Sequence, residues 1–468
     1  MGVLLLSKSQ AYRCRQLAVE LATRFNGEIV NGDAMQMYKG LPIITNKIPD
    51  NEKKSIPHHL LSTVSLTSEP WTVPKFVHES QRIIQEIRSR GRLPILVGGS
   101  HYYTQALLLK DSLVAQSEAL QPSEDETETS SHLTWPILSA ATPEIYARLL
   151  EVDPVIAKRW HPNDRRRVQR SLEIWLQTGR KASDIYEEQH QQRISHEEIA
   201  TQQEGITGGS SGDVVAGTGM RYPTLIFWVE TGDDLLRQRL DTRVEVMVKD
   251  GMIKEALYLD QFERDQNAEG CPVDTGKGIW ISIGYKELKP YLNAIRTGNL
   301  NQVSLDSLRQ LCIEDTKIAT RQYARRQKRW IRIRLANSFE EAGATKRFFV
   351  LDSTHLEQWE SNVKIPSQSI AEEFLKGERL PEPPSLSDMA EKVLPNFSLK
   401  GSRHQTFLAR TCEVCNKTMT TDLDWERHLA SRRHSKALYG KSKRDQGDAR
   451  CQEVQRPVGQ GVLVDHAV

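Results

Sequence analysis

The spacing Cys412-x2-Cys415-x12-His428-x5-His434 constrains this chain more than any other feature. Two thiolates and two imidazoles so placed can close a tetrahedral shell around one Zn2+ ion, the arrangement of a structural site. A zinc finger is therefore expected over 401–445, with Trp425 and Leu429 as the apolar residues that its helix buries. After Glu426 come Arg427, Arg432, Arg433, Lys436, Lys441, Lys443 and Arg444, with no acid before Asp445. A basic helix end of this kind grips phosphates with little reading of sequence.

The other four hundred residues are long enough for more than one core. With 38% hydrophobic and 26% charged residues the chain reads as globular and soluble. No apolar run approaches the roughly 18 residues that a membrane span needs. A formal charge of +2 is nearly neutral, so affinity for nucleic acid must come from local patches. Six cysteines, two of them in the finger, point to a reducing compartment rather than a disulfide framework. Cytoplasm is the expected location, with mitochondrial and nuclear pools left open. Met1–Val19 carries Lys8, Arg13 and Arg15 and no acid, the bias of a mitochondrial presequence. The preferred reading of that segment is a first strand running into a helix.

Residues 17–25 have helical spacing, and Gly27 ends the helix before a strand at Glu28–Val30. An amphipathic helix is expected over Phe76–Arg90, then a strand at Leu93–Val97 closed by Gly98-Gly99. This alternation argues a parallel α/β sheet whose site lies at the strand carboxyl ends. Pro143 to Ile194 reads as largely helical, Thr224–Val229 as a strand, and Leu235–Phe262 as helix again. A strong helix runs from Leu305 through Arg332, and Phe348–Leu351 is a late strand. Residues 117–132, 189–222 and 446–468, with the Pro-rich 382–384, read as unstructured or linker. The run Gly208-Gly209-Ser210-Ser211-Gly212 lacks a following Lys-Ser/Thr and reads as flexible linker.

From Thr316 to Phe339 there is no acidic residue, against Lys317, Arg321, Arg325, Arg326, Lys328, Arg329, Arg332 and Arg334. Like charges at i, i+4 repel, so a polyanion is the expected partner of this helix. A second cluster, Arg165-Arg166-Arg167 with Arg170, follows His161-Pro162-Asn163-Asp164.

An ordered set of motifs then carries a resemblance. Asn31-Gly32-Asp33-Ala34-Met35-Gln36-Met37-Tyr38 is followed by Thr45-Asn46-Lys47, Ile56-Pro57-His58-His59 and Val97-Gly98-Gly99-Ser100-His101-Tyr102-Tyr103. Then come residues 161–170, Ile283-Gly284-Tyr285-Lys286-Glu287 and Thr320-Arg321-Gln322-Tyr323-Ala324-Arg325-Arg326-Gln327. Together these resemble the tRNA dimethylallyltransferases (tRNA isopentenyltransferases), whose eukaryotic members similarly carry a C-terminal finger. The long His–His gap resembles fingers of the matrin type, many of which contact structured RNA.

The resemblance implies transfer of a five-carbon prenyl group from dimethylallyl diphosphate to the exocyclic amine of adenine 37, beside the anticodon. It implies a P-loop-kinase-like parallel core with a helical insertion, and Mg2+ accompanying the diphosphate. The implied division is an α/β core at 1–140, a helical tRNA-binding region with core elements at 141–335, and a closing strand and linker at 336–400. The finger at 401–445 and a disordered tail at 446–468 complete it. The family's base falls on Asp33, and Ser100 stands where the family has a threonine near the reacting centre. Asp33, Ala34, Met35, Gln36, Arg166, Arg167, Val168, Gln169, Arg170, Arg321 and Arg325 are the implied contacts to substrate or to the tRNA anticodon arm. Oligomeric state is left open; a monomer acting on tRNA is compatible with the sequence.

One part departs from the pattern. No Gly-x4-Gly-Lys-Ser/Thr loop precedes Leu17, and in the family register Cys14 and Arg15 occupy the lysine and hydroxyl positions. Lys8 and Ser9 are the remnant candidates for binding diphosphate. Either Ala11–Gln16 is an insert from a misplaced exon boundary, or the chain has lost diphosphate binding and is an inactive RNA-binding homologue. A prenyltransferase for free adenylates and a nucleotide kinase are further alternatives. The finger and the basic helix argue against the first, and the broken loop argues against the second.

Overall fold

The computed structural model describes residues 3–8, 11–110, 135–188, 191, 219–394, 410–419 and 422–440. They divide into two compact units, 1–116 with 191–400 and 117–190 with 401–468. The expected tail at 446–468 lies outside the described residues, as do 117–132, most of 189–218 and Ser9.

The first unit is built on a six-stranded parallel sheet in the order β3-β2-β4-β1-β5-β6. Its strands are β1 (Val3–Lys8), β2 (Gly27–Asn31), β3 (His58–His59), β4 (Leu93–Gly98), β5 (Thr224–Glu230) and β6 (Phe348–Asp352). β2, β4 and β5 are buried along their whole length, which is why they read as continuous apolar runs. Side chains alternate between two cores, as a period of two requires. Val30, Leu96, Ile226, Trp228 and Val350 enter one, and Ile29, Ile95, Val97, Phe227 and Phe349 enter the other.

Helix α1 (Ala11–Arg24) covers the second core with Cys14, Leu17, Ala18 and Leu21. Helix α2 (Val73–Ser89) covers the first with Phe76, Val77, Ile83, Ile84 and Ile87. Thr72 caps α2 by accepting from Lys75 N at 3.4 Å, and Pro74 in its first turn lacks an N–H that would have gone unpaired. Buried Glu28 of β2 ties one side of the sheet together. It accepts from Arg90 Nη2 at 2.8 Å and Arg92 Nη1 at 3.1 Å, and meets His59 Nε2 at 2.6 Å. Burial alone would raise this carboxyl, but the bonds from Arg90 and His59 outweigh it and hold it below its ordinary value.

Helix α3 (His101–Leu108) follows β4. Within the second unit α4 (Thr142–Val152), α5 (Pro154–Arg159) and α6 (Arg165–Thr178) pack together. Returning to the first unit, α7 (Asp233–Asp250), α8 (Met252–Ala268), α9 (Tyr285–Thr297) and the 29-residue α10 (Gln302–Trp330) follow β5. α10 continues through a π-helical turn at Ile331–Leu335.

The acid-free stretch of α10 has a partner within the chain. Lys317 reaches Glu245 at 2.9 Å, Arg321 reaches Asp241 at 2.6 Å, and Lys328 reaches Asp233 at 2.5 Å. As the α10 number rises the α7 number falls, the signature of two antiparallel helices joined by a ladder of ion pairs. The cations left facing solvent are Arg325, Arg326, Arg329, Arg332 and Arg334. Lys328 also neutralises Glu230, whose carboxyl burial pushes upward.

Two segments read as irregular from sequence are folded. Met220 and Tyr222 are buried, and Arg221 donates to Leu107 O at 3.1 Å. Residues Pro383–Leu386 form a 3-10 turn against β6, with Pro383 buried, while α11 (Ile365–Lys376) and α12 (Asp388–Val393) flank it. Proline and serine content suggested a linker there, but tertiary contact gives those residues a surface to bury. No helix among the described residues is long and apolar enough to cross a membrane.

Candidate active site and zinc centre

β2 and β4 are neighbours, so their carboxyl ends deliver Asn31-Gly32-Asp33 and Gly98-Gly99-Ser100 to one place. The two turns touch: Ser100 N donates to Gly32 O at 3.2 Å, and Ala34 N donates to Ser100 Oγ at 3.0 Å. Glycine is required at this crossing, because a Cβ on Gly98 would lie 2.3 Å from Gly32 O. Asn31 locks the turn by donating to Asp33 O at 3.0 Å and Leu60 O at 2.9 Å. Asp33 caps the short 3-10 turn Ala34–Met37 by accepting from Met35 N at 3.2 Å. A small cleft lined by Arg15, Asn31, Gln36 and Val97 opens at this end of the sheet.

Three more residues converge there, none of them named as a site by sequence reasoning. Tyr323 of α10 faces Asp33; loss of water around its phenol, then the Asp33 charge, push its pKa well above the ordinary tyrosine value. Gln327, one turn on, donates to Gly99 O at 2.9 Å and fixes the Ser100 turn to α10. Arg243 of α7 also acts on Asp33. Burial pulls its guanidinium down to about 10, Arg15 pushes the same way and Asp33 opposes. It therefore remains charged at neutral pH, and its buried Nε has no hydrogen-bond partner. Its signal in the sequence is position: Leu236, Leu240 and Val244 form a buried stripe, and Arg243 falls on that same face. Arg15 of α1, standing where the family has a hydroxyl, donates to Asn46 O at 2.6 Å.

The remaining sequence candidates divide clearly. Gln36 is buried and donates to Asn46 O at 3.0 Å, so it shapes the cleft wall, while Ala34 and Met35 are half-buried beside it. Arg321 is paired with Asp241 and Arg325 is exposed. Arg166, Arg167, Val168, Gln169 and Arg170 lie on α6 in the other unit. There Arg166, Arg167 and Arg170 are exposed, Gln169 is half-buried, and Val168 is wholly buried. Val168 thus anchors the helix instead of offering a surface, because its side chain is spent on packing. Arg165 is likewise structural, donating to Ala140 O at 2.7 Å and Leu138 O at 3.0 Å.

Lys8 closes β1, and Ser9 lies outside the described residues. α1 begins at Ala11, so two residues separate strand from helix. That leaves no room for an eight-residue phosphate loop. Ala11–Gln16 is the opening of α1, continuous with Leu17–Arg24.

In the finger, β7 (Arg410–Cys412) and β8 (Lys417–Met419) pair antiparallel ahead of α13 (Asp422–Leu429). The ligand atoms of Cys412, Cys415, His428 and His434 all lie within 4.8 Å of one another. His434 Nδ1 is 3.6 Å from Cys412 Sγ and 3.5 Å from Cys415 Sγ. Ligands about 2.0 and 2.3 Å from a common zinc ion at the tetrahedral angle would stand about 3.5 Å apart. His428 Nε2 is buried without a partner, as a nitrogen waiting for a metal should be. The donor set therefore fits Zn2+. Leu429, expected inside, is 43% exposed; Cys412, Met419 and His434 make the small core, and Trp425 is half-buried under Arg410. So small a core depends on the metal, whose binding supplies on the order of 10 kcal/mol of folding free energy. Purified protein is expected to carry one zinc per chain by elemental analysis, and Cys412→Ala to carry none. Equal zinc in the two proteins would refute this assignment.

In open α/β sheets the crevice beyond the carboxyl ends of the strands, at the point where strand order turns back, is where ligands bind. Fold and site define a parallel α/β protein with its ligand crevice there. Residues 36–334 match the IPP transferase family, and 410–434 match a zinc-finger of C2H2 type. The chain is 34% identical to the tRNA dimethylallyltransferase of Saccharomyces cerevisiae, over 90% of this chain and 89% of that one. It is 31% identical to that of Schizosaccharomyces pombe, over 94% and 95%. A crystal structure of a eukaryotic dimethylallyltransferase acting on tRNA superposes with a TM-score of 0.72 at 30% identity, covering 96% of this chain and 98% of that one. This chain belongs to the IPP transferase family, a family of prenyltransferase enzymes.

Proposed function

We propose that the chain transfers the dimethylallyl group of dimethylallyl diphosphate to N6 of adenine 37 in tRNA, giving N6-isopentenyladenosine. The observation that carries this reading is the meeting of Asp33 with the Ser100 turn beside Arg243, a half-buried cation whose Nε is buried and unpartnered. Adenine N6 attacks C1 of the donor, the C1–O bond breaks, and diphosphate departs with the bonding electrons. Asp33 accepts the N6 proton, which a weakly basic aromatic amine must lose. Ser100 already accepts from Ala34 N, so its hydroxyl hydrogen is free to turn toward the reacting atoms.

Diphosphate needs cations where its charge grows. Arg243 of α7 and Arg15 of α1 supply them, with Mg2+ carried by the diphosphate. Exposed Arg325, Arg326 and Arg329 on α10, and Arg166, Arg167 and Arg170 on α6, supply contacts to tRNA phosphates. The finger serves as an accessory clamp on the anticodon arm. The thiolate ligands fit a reducing compartment, and we place the reaction in the cytoplasm.

The test is single-turnover prenyl transfer by the purified full-length protein to a tRNA anticodon stem-loop, read as N6-isopentenyladenosine by mass spectrometry. Modified adenosine at position 37 is expected. Tight stem-loop binding without product would return the inactive-homologue reading.

A further inference from the structure

α10 does more than flank the reacting centre. Tyr323, Gln327, Trp330 and Arg334 follow one another at i, i+4, i+7 and i+11, one face of a helix. Along that face Tyr323 stands at Asp33, Gln327 holds Gly99, and Trp330 meets Tyr102, whose ring centroid is 6.4 Å away in an edge contact. The Arg334 guanidinium lies over the Trp330 ring at 5.1 Å, in the π-helical turn that interrupts the helix here. Such turns gather at functional sites. Tyr102, two residues after Ser100, is 47% exposed.

Resting on the prenyl-transfer reading, we propose that Tyr102, backed by Trp330 and Arg334, is a stacking platform for the base next to the target adenine. An adenine must leave its stack to reach the Asp33 cleft, and its neighbour then loses a stacking partner. Exposed aromatic faces with an adjacent arginine are the surfaces that hold unstacked bases in single-stranded RNA. Seven residues of helix carry α10 about 10 Å from Tyr323 to Trp330, within reach of the adjoining nucleotide. The charge is complementary as well, since Arg326, Arg329 and Arg332 are exposed around this end of α10. The occupant is therefore a flanking base of the anticodon loop, and the platform keeps the loop splayed while the pocket is filled.

The experiment uses full-length protein and stem-loops carrying 2-aminopurine on either side of the target adenine. Binding of the wild type should quench the label at one flanking position. Tyr102→Ala should abolish that quench and weaken stem-loop affinity about 5- to 150-fold, leaving KM for dimethylallyl diphosphate unchanged. Tyr102→Phe should behave as wild type, and Tyr102→Leu, which keeps the apolar bulk, should behave as Tyr102→Ala. Equal quench and affinity in Tyr102→Ala and wild type would overturn the platform. A wild type that quenches but transfers nothing would overturn the prenyl-transfer reading and leave the platform standing.

Discussion

Asp33→Asn is expected to lower kcat for prenyl transfer by about 10²- to 10⁴-fold while stem-loop affinity stays within twofold or so. The amide keeps an oxygen for Met35 N, so the 3-10 turn and the contact between the Gly32 and Ser100 turns should survive. What it loses is the ability to take a proton from N6. A change confined to kcat separates a base from a residue that only shapes the turn, because misplacing Ala34 and Gln36 would raise KM for RNA too. Rapid-quench measurement of the chemical step with saturating RNA and donor provides the readout. An unchanged rate constant would remove Asp33 from the chemistry and leave it as a capping residue.

The second large effect is expected at Arg243. Arg243→Gln should raise KM for dimethylallyl diphosphate about 10- to 150-fold, the worth of one charge-assisted contact to an anion, without weakening RNA binding. Thermal stability supplies the control. In the free protein this half-buried guanidinium is repelled by Arg15, attracted by Asp33 and unpartnered at its buried Nε. Removing it should leave the melting temperature level or raise it, because a desolvated charge that Asp33 only partly compensates is a cost to the fold. Loss of stability with no change in KM would instead make Arg243 a structural residue, and the diphosphate would have to be held elsewhere.

These expectations bear on the missing phosphate loop. A Walker loop wraps a phosphate with the backbone N–H groups of a glycine-rich run, and the sequence between Lys8 and Ala11 holds no such run. The strand order, the Asp33 and Ser100 turns and the cations of α1 and α7 are nevertheless in place. If transfer is found, its donor KM will show how much of the loop's work two arginines can carry.

Much of this was readable before any coordinates. Short apolar runs such as Leu93–Val97 alternating with helix-spaced segments are the pattern of a parallel sheet covered by helices, so the α/β core followed from pattern. The finger followed from ligand spacing, because a metal dictates its own geometry. Asp33 and Ser100 were singled out through motifs, and the structure shows why those motifs are rigid: Gly98 and Gly32 cross too closely for any side chain.

What the tertiary structure alone decided is which charges are available. From sequence, 316–339 held eight cations without an anion; packed against α7, Arg321 and Lys328 are neutralised by acids 80 and 95 residues away, and Lys317 by Glu245 as well as by Glu314 one turn back. Arg243 shows the reverse. It is one arginine in a helix with other charges, and only burial beside Arg15 and Asp33 makes it stand out. Local sequence determines the period of an element and the ligands of a metal, since both depend on neighbours a few residues apart. The state of a charge depends on what is packed against it, and that is fixed only when distant segments meet.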